Sequence, residues 1–342
     1  MKIAVYGASG YTGKLVVAEL ARRNIETVLV GRNADRLRQV GAEVRQAALD
    51  DHSALVRAFR GCDAVINCAG PFALLGEPVV RAAVDAGCHY VDIAGEQRYL
   101  AWLFETIGPV AEAAGVSVVP SANDDGLPSD LLAHLVAERV QPVRELVIGL
   151  DLVRTGAPPT RGTLRSALAN LDTFTSGGLG YENGRWHQDI PAHRTSMTFP
   201  AGTAQVVKFP LPAVVTVPRH VPAIRVEGLA RSTLVAGFAG VTPELVESVP
   251  EGPSEENRRA ARWILVVEAT GEDGSQARGI VQGIDMQGIT AVIAVEAARR
   301  LVADGAKPGV LAPAQAFEPG DFLANLGVDL TPVVVRPPRS RS

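Results

Sequence analysis

The first third of the chain switches regularly between two hydrophobic periods. Short apolar runs of strand length occur at Lys2–Tyr6, Glu26–Val30, Glu43–Leu49, Cys62–Asn67, His89–Ile93 and Val116–Val119. Between them lie segments whose apolar residues recur at helical spacing: Lys14–Arg23, Ala34–Val40, Ser53–Arg60, Glu77–Ala86 and Gln97–Ala114. Strand-length runs alternating with amphipathic helices predict a parallel sheet with helices on both faces. The expected fold class is therefore α/β, a Rossmann-type doubly wound sheet.

The pattern changes after residue 122. Pro128 and Ser129 open a helix, Asp130–Val140, with Asp130 suited to its first turn. A strand at Leu146–Leu152 follows, then a helix at Leu164–Phe174 that Thr163 can cap, and a Tyr181–Trp186 hairpin around Asn183-Gly184. Further strands are expected at Gln205–Phe209, Ala213–Val217, Ile224–Val226 and Thr233–Gly237, with a hairpin of Trp263–Ala269 and Gln276–Gln282. This predicts an inserted, mostly antiparallel α+β domain. The helix Ile289–Ala303 should then pack back on the first domain. The expected division is 1–122, 123–283 and 284–335, with a disordered tail at 336–342 where prolines, arginines and serines replace apolar residues.

Composition narrows the class. At 342 residues with 47% hydrophobic and 20% charged positions, the chain can bury a substantial core. A net charge of −4 gives nothing to attract nucleic acid, and no apolar run reaches membrane-spanning length. The chain enters a strand at once, leaving no room for a signal peptide, and a cytoplasmic location is expected. Cys62, Cys68 and Cys88 lack metal-ligand spacing and read as reduced thiols, so no metal is expected.

The first strand leads into Gly7-Ala8-Ser9-Gly10-Tyr11-Thr12-Gly13 and then a helix. Strand, glycine-rich turn and helix together form a dinucleotide-binding signature: the backbone can approach a pyrophosphate, and free N–H groups at the helix start face it. Gly7, Ser9, Gly10, Tyr11, Thr12 and Gly13 are candidate cofactor residues. The second strand ends at Gly31-Arg32-Asn33, where an acidic residue would accept the 2′-hydroxyl of NAD. A guanidinium there favours a 2′-phosphate, so Arg32 and Asn33 point to NADP(H), with Asn33 also placed to cap the next helix. Asp50 lies at the adenine edge or caps the following helix; its position admits both. Cys68, Ala69 and Gly70 leave room for the centre of the cofactor, and Pro71-Phe72 can wall the nicotinamide ribose. Asp92 and Glu96 should face the same crevice.

Those motifs, with His89–Glu96, Asp125–Asp130, Arg161-Gly162-Thr163, Ala277-Arg278-Gly279, Gly288–Ala291 and Gly309–Ala314, resemble the saccharopine dehydrogenase NADP-binding domain family, its saccharopine reductase-like and trans-acting enoyl reductase branch in particular. The resemblance is strong in the first third and last fifth and loose in the middle. It implies hydride transfer with NADP(H) and leaves the substrate open.

Hydride transfer also needs a proton source. Asn123, Asp124 and Asp125 cluster at a strand end beside the crevice, and Asp125 is a candidate catalytic residue. Arg219 and His220 are two more, as a carboxylate binder and a proton donor. The Tyr-x-x-x-Lys pair of short-chain dehydrogenases is absent, since Gly10, Ala204 and Ala303 stand four residues before Lys14, Lys208 and Lys307. No cysteine follows Cys88, which excludes the thiol nucleophile of acyl-phosphate reductases. The sequence thus predicts an NADPH-dependent reductase of a C=C or C=N bond in a small molecule; the alternative is a non-catalytic NADP(H)-binding sensor. An inserted sheet with an open edge makes a homodimer the expected assembly.

Overall fold

The computed structural model describes residues 1–153, 159–188, 190–238 and 240–337. Seven parallel strands form the first sheet. Lys2–Tyr6 is central, with Glu26–Gly31 and then Glu43–Gln46 on one side. On its other side lie Ala64–Asn67, His89–Asp92, Ser117–Val119 and finally Gly309–Val310. Strand order reverses at Lys2–Tyr6, and open α/β sheets bind ligands at such a reversal, beyond the carboxyl ends of the strands. Tyr6 pairs with Asn67, so Gly7 and Cys68 leave the sheet side by side and open the crevice between them.

Alternation along the first strand divides the packing. Ile3 and Val5 face the side covered by the helices Tyr11–Arg22 and Met286–Ala303, while Ala4 and Tyr6 face His52–Phe59 and Phe72–Asp85. The Met286–Ala303 helix thus comes from between two strands of the second sheet and packs on the first. Arg23 pairs with Glu296 across the two helices, and three arginines pull the Glu296 carboxyl down to about 2 against the cost of its burial.

The second sheet is mixed. Val143–Val153 lies at its centre, parallel to Ala223–Arg231 and antiparallel to Arg262–Gly271. Ser196–Phe199 and Gly202–Lys208 extend one side, Gln276–Ile284 and Asp329–Arg336 the other, and the hairpin Gly180–Glu182/Arg185–His187 joins Ala223–Arg231. The Leu127–Ala137 helix covers the sheet face toward the first domain, and Trp263 is fully buried beneath it.

Several elements differ from expectation. Ala213–Val217 is not a strand: Ala213–Thr216 is a helical turn followed by a 3-10 turn at Val217–Arg219. The run is buried on every side, so its apolar residues, interrupted only by the buried Thr216, carry no period to tell strand from helix. Ser232–Ala236 is likewise helical. The expected helix Leu164–Phe174 is two, Arg161–Ala169 and Leu171–Ser176, broken at Asn170, and Thr160, not Thr163, caps the first. At the C-terminus, Asp329–Arg336 does not stay with the first domain and Arg336 does not begin a disordered tail. The strand pairs with the otherwise open edge of Gln276–Ile284, Arg336 opposite Gln276. Residues 338–342 of the expected tail lie outside the described residues.

Candidate functional site

Gly7 adopts φ +80°, and a Cβ there would stand 2.9 Å from the Ala69 nitrogen. Gly13 is tighter still, since its Cβ would fall 2.2 Å from the Gly7 carbonyl oxygen. The helix Tyr11–Arg22 begins at Gly10, with no side-chain cap and no acidic residue in its first turn. Its leading N–H groups and positive dipole end therefore face the crevice ready for an anion. This cradle fits the diphosphate of a dinucleotide. Ser9 lines a groove beside it, and Thr12 borders a cleft at the ends of the strands. Tyr11 turns the other way, its hydroxyl donating to the Pro253 carbonyl at 2.6 Å.

At the ribose end, Arg32 is exposed immediately after the second strand. The Asn33 side chain accepts the Arg36 N–H at 3.0 Å and so caps Ala34–Arg38. Asp51, not Asp50, caps His52–Phe59, which leaves Asp50 exposed at the strand edge. Burial raises the Tyr6 hydroxyl pKa; Arg32 opposes this and Asp50 adds to it, which puts both charges close to the end of the first strand.

A cleft of about 240 Å³ lies between the carboxyl ends of the first sheet and the second domain. Cys68, Gly70 and Phe72 form one wall and Asn123, Asp124 and Asp125 another, with Ser166 and Thr290 contributed from distant elements. Ala69 and Pro71 continue the first wall: the Ala69 N–H donates to Asn67 at 3.0 Å, and Pro71 precedes the Phe72–Asp85 helix. Glu96 organises this wall. Its Oε1 accepts from the Phe72 N–H at 2.8 Å and the Ser166 hydroxyl at 2.9 Å, its Oε2 from the Ala73 N–H at 2.7 Å and the Asn170 amide at 3.0 Å. One carboxylate thus caps a helix that has no cap of its own and ties it to the second domain. Asp92 is fully buried behind it and accepts the N–H groups of Ala94 and Ser121; burial lifts its pKa to about 6.

Asn123 shapes the opposite wall by accepting the Gly126 N–H at 2.7 Å and donating to the Ile93 and Ala94 carbonyls. Asp124 accepts the Thr290 hydroxyl at 3.0 Å. Asp125 borders the cleft beside it, and its carboxyl pKa is pushed up to about 8, first by burial and then by the adjacent Asp124 charge. A carboxyl in that state is protonated at neutral pH and can give up a proton. The Cys68 thiol is pushed up to about 12 by burial, so it is no nucleophile.

Arg219 and His220 are not brought to the cleft. His220 Nε2 lies 3.0 Å from Asp130 and its Nδ1 3.1 Å from His134, and Asp130 also accepts the Thr216 hydroxyl and the Ala314 N–H. This buried junction fastens three segments together. Arg219 lies 3.6 Å from the centre of the Phe104 ring. What sequence reasoning did not assign is the second-domain wall, Thr160, Gly162, Thr163 and Ser166, together with Gln287 and Thr290. The signal was present: Arg161-Gly162-Thr163 and Gly288–Ala291 stood out as motifs, the first read only as a turn with a helix-capping Thr163.

Comparison with known proteins agrees with this geometry. Residues 3–119 match the saccharopine dehydrogenase NADP binding domain, so the cofactor of the first domain is NADP(H). The chain is 35% identical over 146 residues to a lipid droplet localized protein of Caenorhabditis elegans, covering 38% of this chain and 34% of that protein. It is 30% identical over 149 residues to the trans-acting enoyl reductase of Mycobacterium leprae, covering 40% and 36%. The alignments thus span about a third of each relative's own length. Over 98% of this chain and 99% of the other, the fold is similar to the apo saccharopine dehydrogenase (L-Glu forming) of Saccharomyces cerevisiae, with a TM-score of 0.62 at 14% identity. No helix among the described residues is long and apolar enough to cross a membrane.

Proposed function

With a saccharopine dehydrogenase-type NADP-binding domain in residues 3–119 as premise, we propose that the protein is an NADPH-dependent reductase of an enoyl C=C or imine C=N bond in a small, apolar molecule. The observation that carries this reading is the Asp125 carboxyl, which borders the cleft beside Asp124 where the first sheet's strand order reverses and whose pKa burial raises. NADPH, when bound, supplies the hydride. The chain supplies the rest: Asp125 gives its proton to the atom next to the carbon that is reduced, and regains it from water through the cleft. Glu96 and Asn123 hold the two walls at a fixed spacing, and Gly7–Gly13 receives the cofactor diphosphate.

The lining supports the apolar substrate. Leu150, Leu152, Phe174, Phe209, Phe238 and Met286 form its second-domain side, and its only charged residues among those described are Glu96, Asp124 and Asp125. Among the described residues no arginine, lysine or histidine lines the cleft, so a substrate carboxylate would meet Glu96 and Asp124 there. This favours the enoyl over an amino-acid-derived imine. The proposal includes a cytoplasmic protein and a homodimer, the latter drawing on the exposed edge strand Asp329–Arg336.

The test is NADPH oxidation with a panel of apolar enones, apolar imines and carboxylated imines. Turnover of the first two classes over the third is expected. Tight NADPH binding without turnover of any member would favour the sensor reading. Cofactor choice has its own check. Arg32→Ala should weaken NADPH binding about 10-fold, the scale of a charge-assisted phosphate contact, and leave NADH within about twofold. An equal loss for both would remove Arg32 from the phosphate site.

A further inference from the structure

A second-domain segment at Val249–Ser254 crosses to the first domain and sits on the glycine-rich turn. Pro253 accepts the Tyr11 hydroxyl, and Gly252 lies so close to the Tyr11 ring that a Cβ there would stand 2.5 Å from it. Behind it, Arg161 holds the segment to the cleft wall: its guanidinium donates to the Val249 carbonyl at 2.6 and 3.0 Å, and its own N–H donates to the Glu251 carbonyl at 3.2 Å. The Glu251 side chain reaches between two cations. Oε2 lies 3.1 Å from Lys14 Nζ and Oε1 3.2 Å from Arg36 Nη2.

Lys14 and Arg36 rise from the two helices that flank the end of the second strand, and with Ser9 they line the groove between those helices. Arg32 leaves the second strand at the same end. This is the ribose end of the cradle, so the two cations converge where the 2′-phosphate of NADP(H) would be neutralised. An anion is already there, and it belongs to the other domain. We propose that Glu251 is a specificity-determining residue that stands in for the cofactor's 2′-phosphate, and that NADP(H) must displace it and free the Val249–Ser254 strap in order to bind. The proposal rests on the cofactor placement given above.

The energetics make the exchange feasible. Lys14, Arg36 and Glu251 side chains are 50%, 55% and 43% exposed, and ion pairs so open to water are weak. A phosphate monoester carries about 1.5–2 negative charges at neutral pH against one on the carboxylate, and it offers three acceptor oxygens. It therefore wins the two cations, at the cost of breaking the Glu251 pairs. NADH lacks that phosphate. It has nothing to put in place of Glu251 and gains nothing from its removal.

The experiment titrates the full-length protein with NADPH and with NADH, following cofactor fluorescence, for the wild type, Glu251→Gln, Arg36→Ala and the double variant. Glu251→Gln should bind NADPH about 3- to 10-fold tighter, the scale of two exposed ion pairs, with NADH changed less than about twofold. In the Arg36→Ala background most of that gain should vanish. Amide hydrogen exchange gives a second readout: 249–254 should exchange faster with NADPH bound and not with NADH. A wild type that prefers NADPH, combined with an unchanged or weakened NADPH affinity in Glu251→Gln, overturns the strap alone. A wild type with no preference for NADPH overturns the cofactor placement and the strap with it.

Discussion

Replacing Asp125 with asparagine should lower kcat by about 10²- to 10³-fold, the usual span for loss of a general acid, while NADPH affinity stays within about twofold. Asparagine keeps the shape and removes the proton. The wild-type pH profile has a defined sign. The carboxyl is held protonated up to about pH 8 by burial and by the Asp124 charge, so kcat should be flat on the acid side and fall as pH rises through about 8. Asp124→Asn removes one of the two causes and should move that fall to lower pH. A full-speed Asp125→Asn enzyme, or a wild-type profile that rises through pH 8, would rule out this proton donor. Because the readout is a shifted pH limb as well as a rate, a merely structural role for the Asp124–Asp125 pair would not reproduce it.

Gly13→Ala should abolish measurable NADPH binding and lower the melting temperature. A methyl group there would stand 2.2 Å from the Gly7 carbonyl oxygen and 2.9 Å from the Ala8 Cα, both backbone atoms that no rotamer can move aside. Relief requires the helix Tyr11–Arg22 to back away from the turn. Overpacking of this kind costs about 1–3 kcal/mol in stability. It also withdraws the N–H groups that face the diphosphate, which is why binding should suffer more than folding. Gly10→Ala is the contrast: its Cβ would meet only the Gly7 carbonyl, at 3.3 Å, and a milder loss is expected. Differential scanning fluorimetry with and without NADPH measures both effects. A Gly13→Ala protein with normal NADPH-induced stabilisation would show that the turn does not receive the cofactor.

The first domain was legible because its local and long-range signals agree. Each strand is short and apolar, each helix amphipathic, and the glycines fall where the chain must turn. In the second domain the signals part company. Ala213–Val217 is surrounded by core on all sides, so nothing in its polarity marks a helix. Asn170 breaks a helix because its amide is needed by Glu96, seventy-four residues away in the chain, and no local pattern encodes that. The site divides in the same way. Asp125 was visible as an acidic cluster at a strand end. His220 and Arg219 had the right chemistry, but Asp130 claims the histidine and Phe104 the arginine. Whether a polar residue faces a cleft or a buried partner depends on contacts made after the two sheets have met.

The helix Met286–Ala303 carries a consequence for how this protein is divisible. It lies in the chain between two strands of the second sheet yet packs on the Ala64–Asn67 and His89–Asp92 strands of the first, and it brings Thr290 to Asp124. The cofactor unit is therefore not a detachable cassette. A gene fragment ending near residue 122 would encode every strand up to Ser117–Val119 and every glycine of the turn, but on the side that Tyr11–Arg22 shares with Met286–Ala303 it would leave the Ala64–Asn67 and His89–Asp92 strands without the second helix. Cofactor turn, cleft wall and covering helix thus come from both ends of the chain and hold one another in place.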